Sequence, residues 1–393
     1  MMWESKTLGE ISLSIQTGPF GSQLHQSDYS DDGTPVVMPK DLMNGTISEE
    51  SIARVSKEHV ERLERHKIQE GDILYSRRGD VGRCAFTSER EKGWLCGTGC
   101  LKVRIDKEKA EPKFVFYQLQ KAETIGWVVN HAVGSTMLNL NTSILNAVPV
   151  DVPEIEIQRK IVSILAAYDE LIENNQKQIK LFEEAAQRLY KEWFVDLRFP
   201  GYEDVEIVDG VPEGWKEEKL IDIANVQYGF AFDSSLFNSQ GKGKQIIRIR
   251  NIPSGITDDY TTQEADEQYI VSNGDIVVGM DGEFHINSWC GKTAYLVQRT
   301  CKFIPKKELM RGWLLQAIYG PIKYFEKTVV GATVAHLGKK HIDTIELLTG
   351  PDELYIPFKT LFDKRQLLLN QNILLSEARD RLLPKLMSGE IEV

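Results

Sequence analysis

Residues 154–195, EIEIQRKIVSILAAYDELIENNQKQIKLFEEAAQRLYKEWFV, set the strongest limit on what this chain can fold into. Ile161, Leu165, Tyr168, Ile172, Asn175, Ile179, Phe182, Ala186, Leu189 and Trp193 alternate steps of four and three. That spacing lays one stripe along a helix that packs against another helix. The run contains neither Gly nor Pro. At about 1.5 Å per residue it is roughly 50 Å long, more than the core of one ordinary domain can cover. Such a seam needs a partner of similar length.

Residues 352–393 supply the candidate. Leu354, Leu361, Leu368, Leu375 and Leu382 recur every seven residues, with Phe358 and Leu386 between them. Arg365, Asn372 and Arg379 occupy the other half of this seam and make it more polar. Glu184-Ala185 and Arg188-Leu189 match Glu377-Ala378 and Arg381-Leu382, so the two helices read as relatives. Asp352 reads as an N-cap, and Pro384 is expected to kink or end the helix. Length and duplication together predict an antiparallel pair rather than two separate core helices.

The rest of the chain is also duplicated. Trp3, Leu8, Ile11, Phe20, Ser22 and Leu24 match Trp215, Leu220, Ile223, Phe232, Ser234 and Leu236 at constant spacing. VVMPKDL at 36–42 matches IIRIRNI at 246–252, and GDILYSRRGD at 71–80 matches GDIVVGMDGE at 274–283. Gly82-Arg83 with Ala85-Phe86 is set against Gly291-Lys292 with Ala294-Tyr295, and GSTMLNL at 134–140 against GATVAHL at 331–337. Spacing changes only between blocks, where loops can lengthen. Ile73–Tyr75, Leu101–Ile105 and Ile276–Val278 read as strands, while 113–130 and 308–327 read as helices. Trp313, Leu314, Ala317 and Ile318 are expected to face a core. The fold class is therefore α+β: two similar domains, 1–153 and 199–351, separated by two long antiparallel coiled-coil helices, 154–198 and 352–393, as a pseudo-two-fold internal repeat. The acidic, turn-rich stretch from Phe199 to Trp215 leads into the second copy.

Composition narrows the class. With 41% hydrophobic and 27% charged residues the chain can bury a core. No apolar run approaches the roughly 20 residues of a membrane span, and MMWESKTLGE lacks the apolar stretch of a signal peptide. A cytoplasmic protein without a membrane partner is expected. Five cysteines without a CxxC pair suit reduced thiols, although Cys96 and Cys100 could hold a metal if further ligands lay near. A net charge of −11 argues against a general basic coat for nucleic acid and leaves local patches open.

Catalytic motifs are missing from the sequence. No GxxxxGK[ST] loop occurs, no Asn/Asp-Pro-Pro-aromatic run of an adenine methyltransferase, and no HExxH. Pro351-Asp352 lacks the Glu-x-Lys partner of a nuclease site. No catalytic and no metal residues are assigned. Recognition remains, with contact residues in the loops that the repeat aligns. In the first copy these are Ser22, Gln23, Lys40, Ser76, Arg77, Arg78, Arg83, Asn139 and Asn141. In the second they are Ser234, Arg248, Arg250, Asn251, Asp281, His285, Asn287, Lys292, Lys339 and Lys340. Arg and Lys suit guanine edges or phosphates, and Asn and Gln suit adenine edges. A protein-interaction scaffold with duplicated binding domains is the alternative, and a cryptic nuclease or methyltransferase a third.

Taken together, the tandem α+β units, Pro212-Glu213-Gly214-Trp215, the GDI turns at Gly71 and Gly274, and the paired helices resemble the specificity subunit of a type I restriction–modification enzyme. The resemblance covers essentially the whole chain. It implies two target recognition domains, each reading one half of a split double-stranded DNA sequence, with the helices as a ruler between them. It implies docking of two modification (methyltransferase) subunits on the helices, for which Ile161, Leu165, Phe182, Trp193, Leu361, Leu368 and Leu375 are the candidates, and later addition of restriction subunits. By the same resemblance this chain is not itself catalytic. It needs no cofactor of its own, and S-adenosylmethionine, ATP and Mg²⁺ belong to the partners.

A ruler makes a geometric prediction. Seven residues inserted in register lengthen the helix by roughly 10 Å, about three base pairs along the duplex axis. The folded variant should shift its preferred spacing accordingly in a methylation-site survey; unchanged spacing would remove the helices from that role.

Overall fold

The computed structural model describes residues 3–134, 137–329 and 335–393. Two compact units result: the first runs to Asp169 and takes in Ala378–Val393, and the second is Glu170–Glu377. Ser135-Thr136 of the aligned GSTMLNL segment, and 330–334, which take in the first four residues of GATVAHL, lie outside the described residues.

In the first unit Glu4–Thr7 pairs antiparallel with Pro149–Val152. Strands Ser12–Thr17, Cys100–Ile105, Ile73–Ser76 and Cys84–Phe86 form an antiparallel sheet in that spatial order. A second sheet orders Leu95–Cys96, Thr34–Val37, Ala53–Val55 and Tyr29–Ser30, its first pair parallel. The second unit repeats this plan. Lys216–Lys219 pairs with Glu346–Thr349, and Ala224–Tyr228, Thr300–Pro305, Ile276–Gly279 and Ile286–Ser288 form the antiparallel sheet. Ala294–Leu296, Lys244–Ile247, Tyr260–Thr261 and Phe237–Asn238 form the other, again with a parallel first pair, and Ile270–Val271 adds a fifth strand.

This strand order corrects one block of the sequence alignment. Cys84–Phe86 pairs with Ile73–Ser76 as Ile286–Ser288 pairs with Ile276–Gly279, so Ala85 is not the counterpart of Ala294. Ala294–Leu296 corresponds instead to the strand at Leu95–Cys96. Ser76 N donates to Arg83 O and Gly279 N to His285 O, which makes His285 the counterpart of Arg83. Small and apolar runs of two or three residues recur after both glycines, and spacing alone slipped by one strand.

The expected strands form at Ile73–Ser76, Cys100–Ile105 and Ile276–Gly279. The helix expected over 113–130 is two, Pro112–Leu119 and Ala122–His131, because Lys121 is extended (φ −61°, ψ 141°). The one expected over 308–327 likewise divides into a 3₁₀ turn Glu308–Met310 and helices Arg311–Ala317 and Tyr319–Thr328. Trp313, Leu314, Ala317 and Ile318 are all buried in the second core, alongside Phe194, Tyr355 and Phe358.

The central helix is Ile155–Tyr190, followed by a π turn at Lys191–Val195; the C-terminal helix is Ile356–Met387. Two end signals read differently in the structure. Asp352 opens a 3₁₀ turn, and its carboxylate takes the Lys307 ammonium at 2.7 Å instead of capping. Pro384 lies inside the helix, which continues three residues to Met387. The missing N–H leaves the bond back to Asp380 unmade, while Ser388 N still donates to Pro384 O beyond it.

Each unit contains part of the helical pairing. In the first, Ile161 and Leu165 share a core with Leu386 and Met387, and Arg379 Nη1 meets Asp169 Oδ1 at 2.8 Å. In the second, Asn175 Nδ2 donates to Asn372 Oδ1 at 2.9 Å and Arg365 Nε to Glu183 Oε1 at 2.7 Å. Within that unit the partner number falls as the helix number rises, so the pairing is antiparallel. The three polar residues that weaken the seam on paper each meet a polar partner. Such buried polar contacts fix register at some cost in stability.

His66 is 2% exposed and accepts a hydrogen bond on Nε2 from Arg65 Nε at 2.9 Å. Burial, with Arg65 and Lys102 beside it, lowers its pKa from 6.5 to about 4. The unfolded chain therefore takes up a proton that the folded one refuses, and stability falls as pH drops from 6.5 toward 4. Between pH 7 and pH 5 the loss from this one group is roughly 2 kcal/mol. Urea unfolding of the wild type and His66→Gln at both pH values should show a smaller acid loss in the variant.

Candidate nucleic-acid interface

A glycine with positive φ opens the GDI turn of each unit. Gly71 (φ +85°) and Gly274 (φ +87°) adopt the left-handed conformation that a side chain disfavours. The following aspartate turns inward. Asp72 accepts from Gln69 N at 2.8 Å and from Arg104 Nε at 2.7 Å and Nη2 at 2.8 Å. Asp275 accepts from Ser272 N at 2.9 Å and lies 3.5 Å from Lys302 Nζ and 3.3 Å from Arg311 Nη1. The Asp72 hydrogen bond raises the Arg104 pKa, while burial lowers that of Lys102. Lys102 and Lys302 occupy equivalent strand positions. Both are buried, and both donate to backbone carbonyls, Lys102 to Lys67 O and Lys302 to Ile270 O.

From these anchored strands the chain enters a hairpin turn that pairs with a later loop. In the first unit Arg78 and Asn139 form an antiparallel bridge, Gly79 N donates to Leu138 O and Leu140 N to Arg77 O. In the second unit Asp281 and His336 form the bridge, Gly282 N donates to Ala335 O and Leu337 N to Met280 O. Gly79 (φ +75°) and Gly282 (φ +70°) make the same turn. The backbone frame is the same in both units, and the side chains mounted on it differ.

Several residues expected at the interface meet on this frame. Arg77, Arg78 and Asn139 come together in the first unit, with Arg83 at the far end of the hairpin, paired to Asp80. Arg78 has no side-chain hydrogen bond or ion pair among the described residues, and Arg77 Nε is buried without a partner. In the second unit Asp281 and His285 share the hairpin; His285 lies 3.6 Å from Glu283, and Lys339 and Lys340 are exposed at the start of the short helix Lys339–Ile342.

Others have their polar groups occupied by the fold. Ser76 is buried and donates to Arg78 O. Asn141 caps the helix Thr142–Asn146 through Ile144 N. Asn251 accepts from Arg248 N, as Asp41 does from Met38 N at the equivalent turn. Asn287 donates to Ile252 O and Pro253 O and accepts from Arg365. Lys40 donates to Ser51 O, Arg250 pairs with Asp259, and Lys292 lies 3.7 Å from Glu377. Gln23 accepts from Phe20 N, Arg248 stacks over Phe237, and Ser22 and Ser234 stand exposed on turns elsewhere in their units. Arg299 is a further residue on this frame that the sequence does not single out. It is exposed, adopts φ +74°, and lies 3.4 Å from Asp281 and 3.2 Å from His336. Its counterpart by strand position, Gly99, carries no side chain to suggest a site.

On the helices, Ile161 and Leu165 are buried in the first unit's own core. Phe182 is half-buried beneath Lys364, Trp193 packs edge-on against Phe358, and Leu361, Leu368 and Leu375 are half-buried. Large apolar side chains that stand in solvent include Leu171, Leu181, Leu367 and Leu374, with Val195 and Ile356 nearer the helix ends. All five cysteines are buried and unpaired, and no cluster of metal-ligating residues occurs among the described residues. No helix described is long and apolar enough to cross a membrane.

Comparison with known proteins agrees with this duplicated frame. The family model described as the type I restriction modification DNA specificity domain matches twice, over residues 2–183 and 212–353. The type I restriction enzyme MjaIX specificity subunit of Methanocaldococcus jannaschii is 25% identical, with 93% of this chain and 88% of the relative covered. The HindI specificity subunit of Haemophilus influenzae is 23% identical, with 99% of each covered. A crystal structure of the S subunit of a type I restriction-modification system from M. genitalium shares the fold, with a TM-score of 0.60 at 16% identity over 98% of this chain and 96% of that one. Two copies of the same domain, found independently in strand order and in sequence, place this chain in the family of type I restriction–modification DNA specificity subunits.

Proposed function

We propose that this chain reads a split double-stranded DNA sequence, one half through each α+β unit, and brings modification subunits to the bases on either side. One observation carries the reading: the same hairpin-and-loop frame occurs in both units with different hydrogen-bonding side chains mounted on it. A duplicated frame with altered contacts suits a target made of two unlike halves. Direct readout needs such side chains at a groove floor, with other contacts to phosphates setting position.

The methyl transfer and the DNA cleavage belong, on this reading, to partner subunits, which also bind S-adenosylmethionine, ATP and Mg²⁺. This chain supplies the address, in the cytoplasm, where the DNA is. Modification subunits dock on the helical pair, and in the second unit Leu171, Leu181, Leu367 and Leu374 offer the apolar contacts, since exposed leucines on otherwise polar helices are suited to burial by a partner. Restriction subunits join through the modification subunits.

The complex with its modification subunit should methylate one bipartite site and protect it in a footprint, and binding should weaken as salt rises. Methylation of an unsplit site would overturn the reading. Leu181→Glu combined with Leu374→Glu should lower modification-subunit binding at least tenfold in a titration while leaving the melting temperature of the isolated chain nearly unchanged, because neither side chain belongs to a core.

A further inference from the structure

The bridge positions of the two hairpins are equivalent, and the cation on them has changed sides. In the first unit the hairpin offers Arg78, faced by Asn139, and the strand-entry position is Gly99. In the second the hairpin offers Asp281, faced by His336, and the strand-entry position is Arg299. The correspondence rests on backbone hydrogen bonds: Arg77 N donates to Gly99 O, and Met280 N to Arg299 O.

Arg299 faces Asp281, whose other carboxylate oxygen is held by His336. Its Nε lies 3.4 Å from Asp281 Oδ2, and its Nη1 is 3.2 Å from His336 Nδ1. Asp281 Oδ1 in turn accepts from His336 Nδ1 at 2.5 Å, which leaves His336 Nε2 without a partner among the described residues. A guanidinium drawn by its Nε toward a carboxylate has fewer directions open to its Nη donors, and a bidentate contact to guanine O6 and N7 needs those donors placed. Arg299 also adopts a left-handed backbone (φ +74°), which costs energy for any residue with a side chain and is found where local geometry serves a site. Arg78, by contrast, is exposed without a side-chain partner.

We infer that Arg299, oriented by Asp281 and His336, is a base-reading residue of the second unit, and that Arg78 with Asn139 is its counterpart in the first. This deepens the DNA-reading function proposed above and rests on it. The two units then differ in half-site because the arginine approaches the bases from opposite strands of one frame.

The test is methylome sequencing of a host expressing the full chain with its modification subunit. The variants are wild type, Arg78→Ala, Arg299→Ala, Arg299→Lys, and the exchange Asp281→Arg/Arg299→Gly/His336→Asn. The exchange removes a side chain at 299, whereas the reverse graft at Gly99 would drive a Cβ to 2.8 Å from Pro39. Arg299→Ala and Arg299→Lys should both relax one or two positions of one half-site, roughly tenfold in preference, and Arg78→Ala positions of the other half alone. The exchange should alter the half-site of the second unit and leave the other intact. A wild type that modifies a split site while Arg299→Lys and Arg78→Ala keep both halves unchanged would overturn the inference and spare the DNA-reading function. Uniform weakening at all positions, restored by Arg299→Lys, would also overturn it, as the mark of a phosphate contact. A wild type that modifies no split site would overturn both.

Discussion

A buried carboxylate directly after a left-handed glycine holds each recognition sheet in place. Asp72 and Asp275 both accept a backbone N–H three residues upstream and both face cations drawn from other strands or helices. Removing Asp72 would leave Arg104 without its two-point partner, and removing Asp275 would take from Lys302 and Arg311 the carboxylate they share. The loss of one partner from a buried pair costs several kcal/mol, far more than such a pair is worth in net stability. The hairpins that carry the candidate reading residues grow directly from these strands. Their geometry therefore depends on charges that never reach the surface.

The helical pairing connects to the same sheets. In the second unit Arg365 does three things at once: it pairs with Glu183 across the helices, and it donates to Ser288 Oγ and Asn287 Oδ1 on the outer recognition strand. Gln366, next along, donates to Trp289 O and accepts from Ser288. In the first unit Asp169 meets Arg379 across the helices and also accepts from Tyr117 Oη, on a helix packed beneath the recognition sheet. Polar residues that look like flaws in a heptad seam thus couple each stretch of helix to the domain beside it. A purely apolar seam could slide by a turn without losing much; these contacts cannot.

Repetition and periodicity made most of this legible from sequence. The leucine heptads and the GDI turns are patterns that backbone geometry imposes, so they survive divergence and locate the helices and the central strands. Local interruptions were less visible. Lys121 gives no sign in composition that its helix stops, yet its backbone is extended there. Asp352 looked like a cap because Asp often is one, until Lys307 from another element claimed it. The site was legible as a region but not residue by residue. Asn141, Asn251 and Asn287 have the right chemistry for adenine, yet backbone groups next to them take their hydrogen bonds. Arg299 was hidden for the converse reason, since its counterpart is a glycine and pairing it with Asp281 needs a fold that brings residues eighteen apart together with His336.

The division between anchor and rim has a consequence for how such a protein can change. Asp72, Lys102 and their counterparts are buried with their polar groups engaged, so their substitution is costly wherever it occurs. Arg78, Asn139 and Arg299 stand on a frame built from backbone hydrogen bonds, which persist whatever the side chain. Surface substitutions away from a structural contact typically move stability by less than about 0.5 kcal/mol. The two units already illustrate the result: an arginine moved across the turn, an aspartate and a histidine placed where an arginine and an asparagine stand in the other copy, and the same strand order beneath. A frame whose stability is independent of its rim is free to acquire a new contact set without refolding, and a duplicated frame can do so one half at a time.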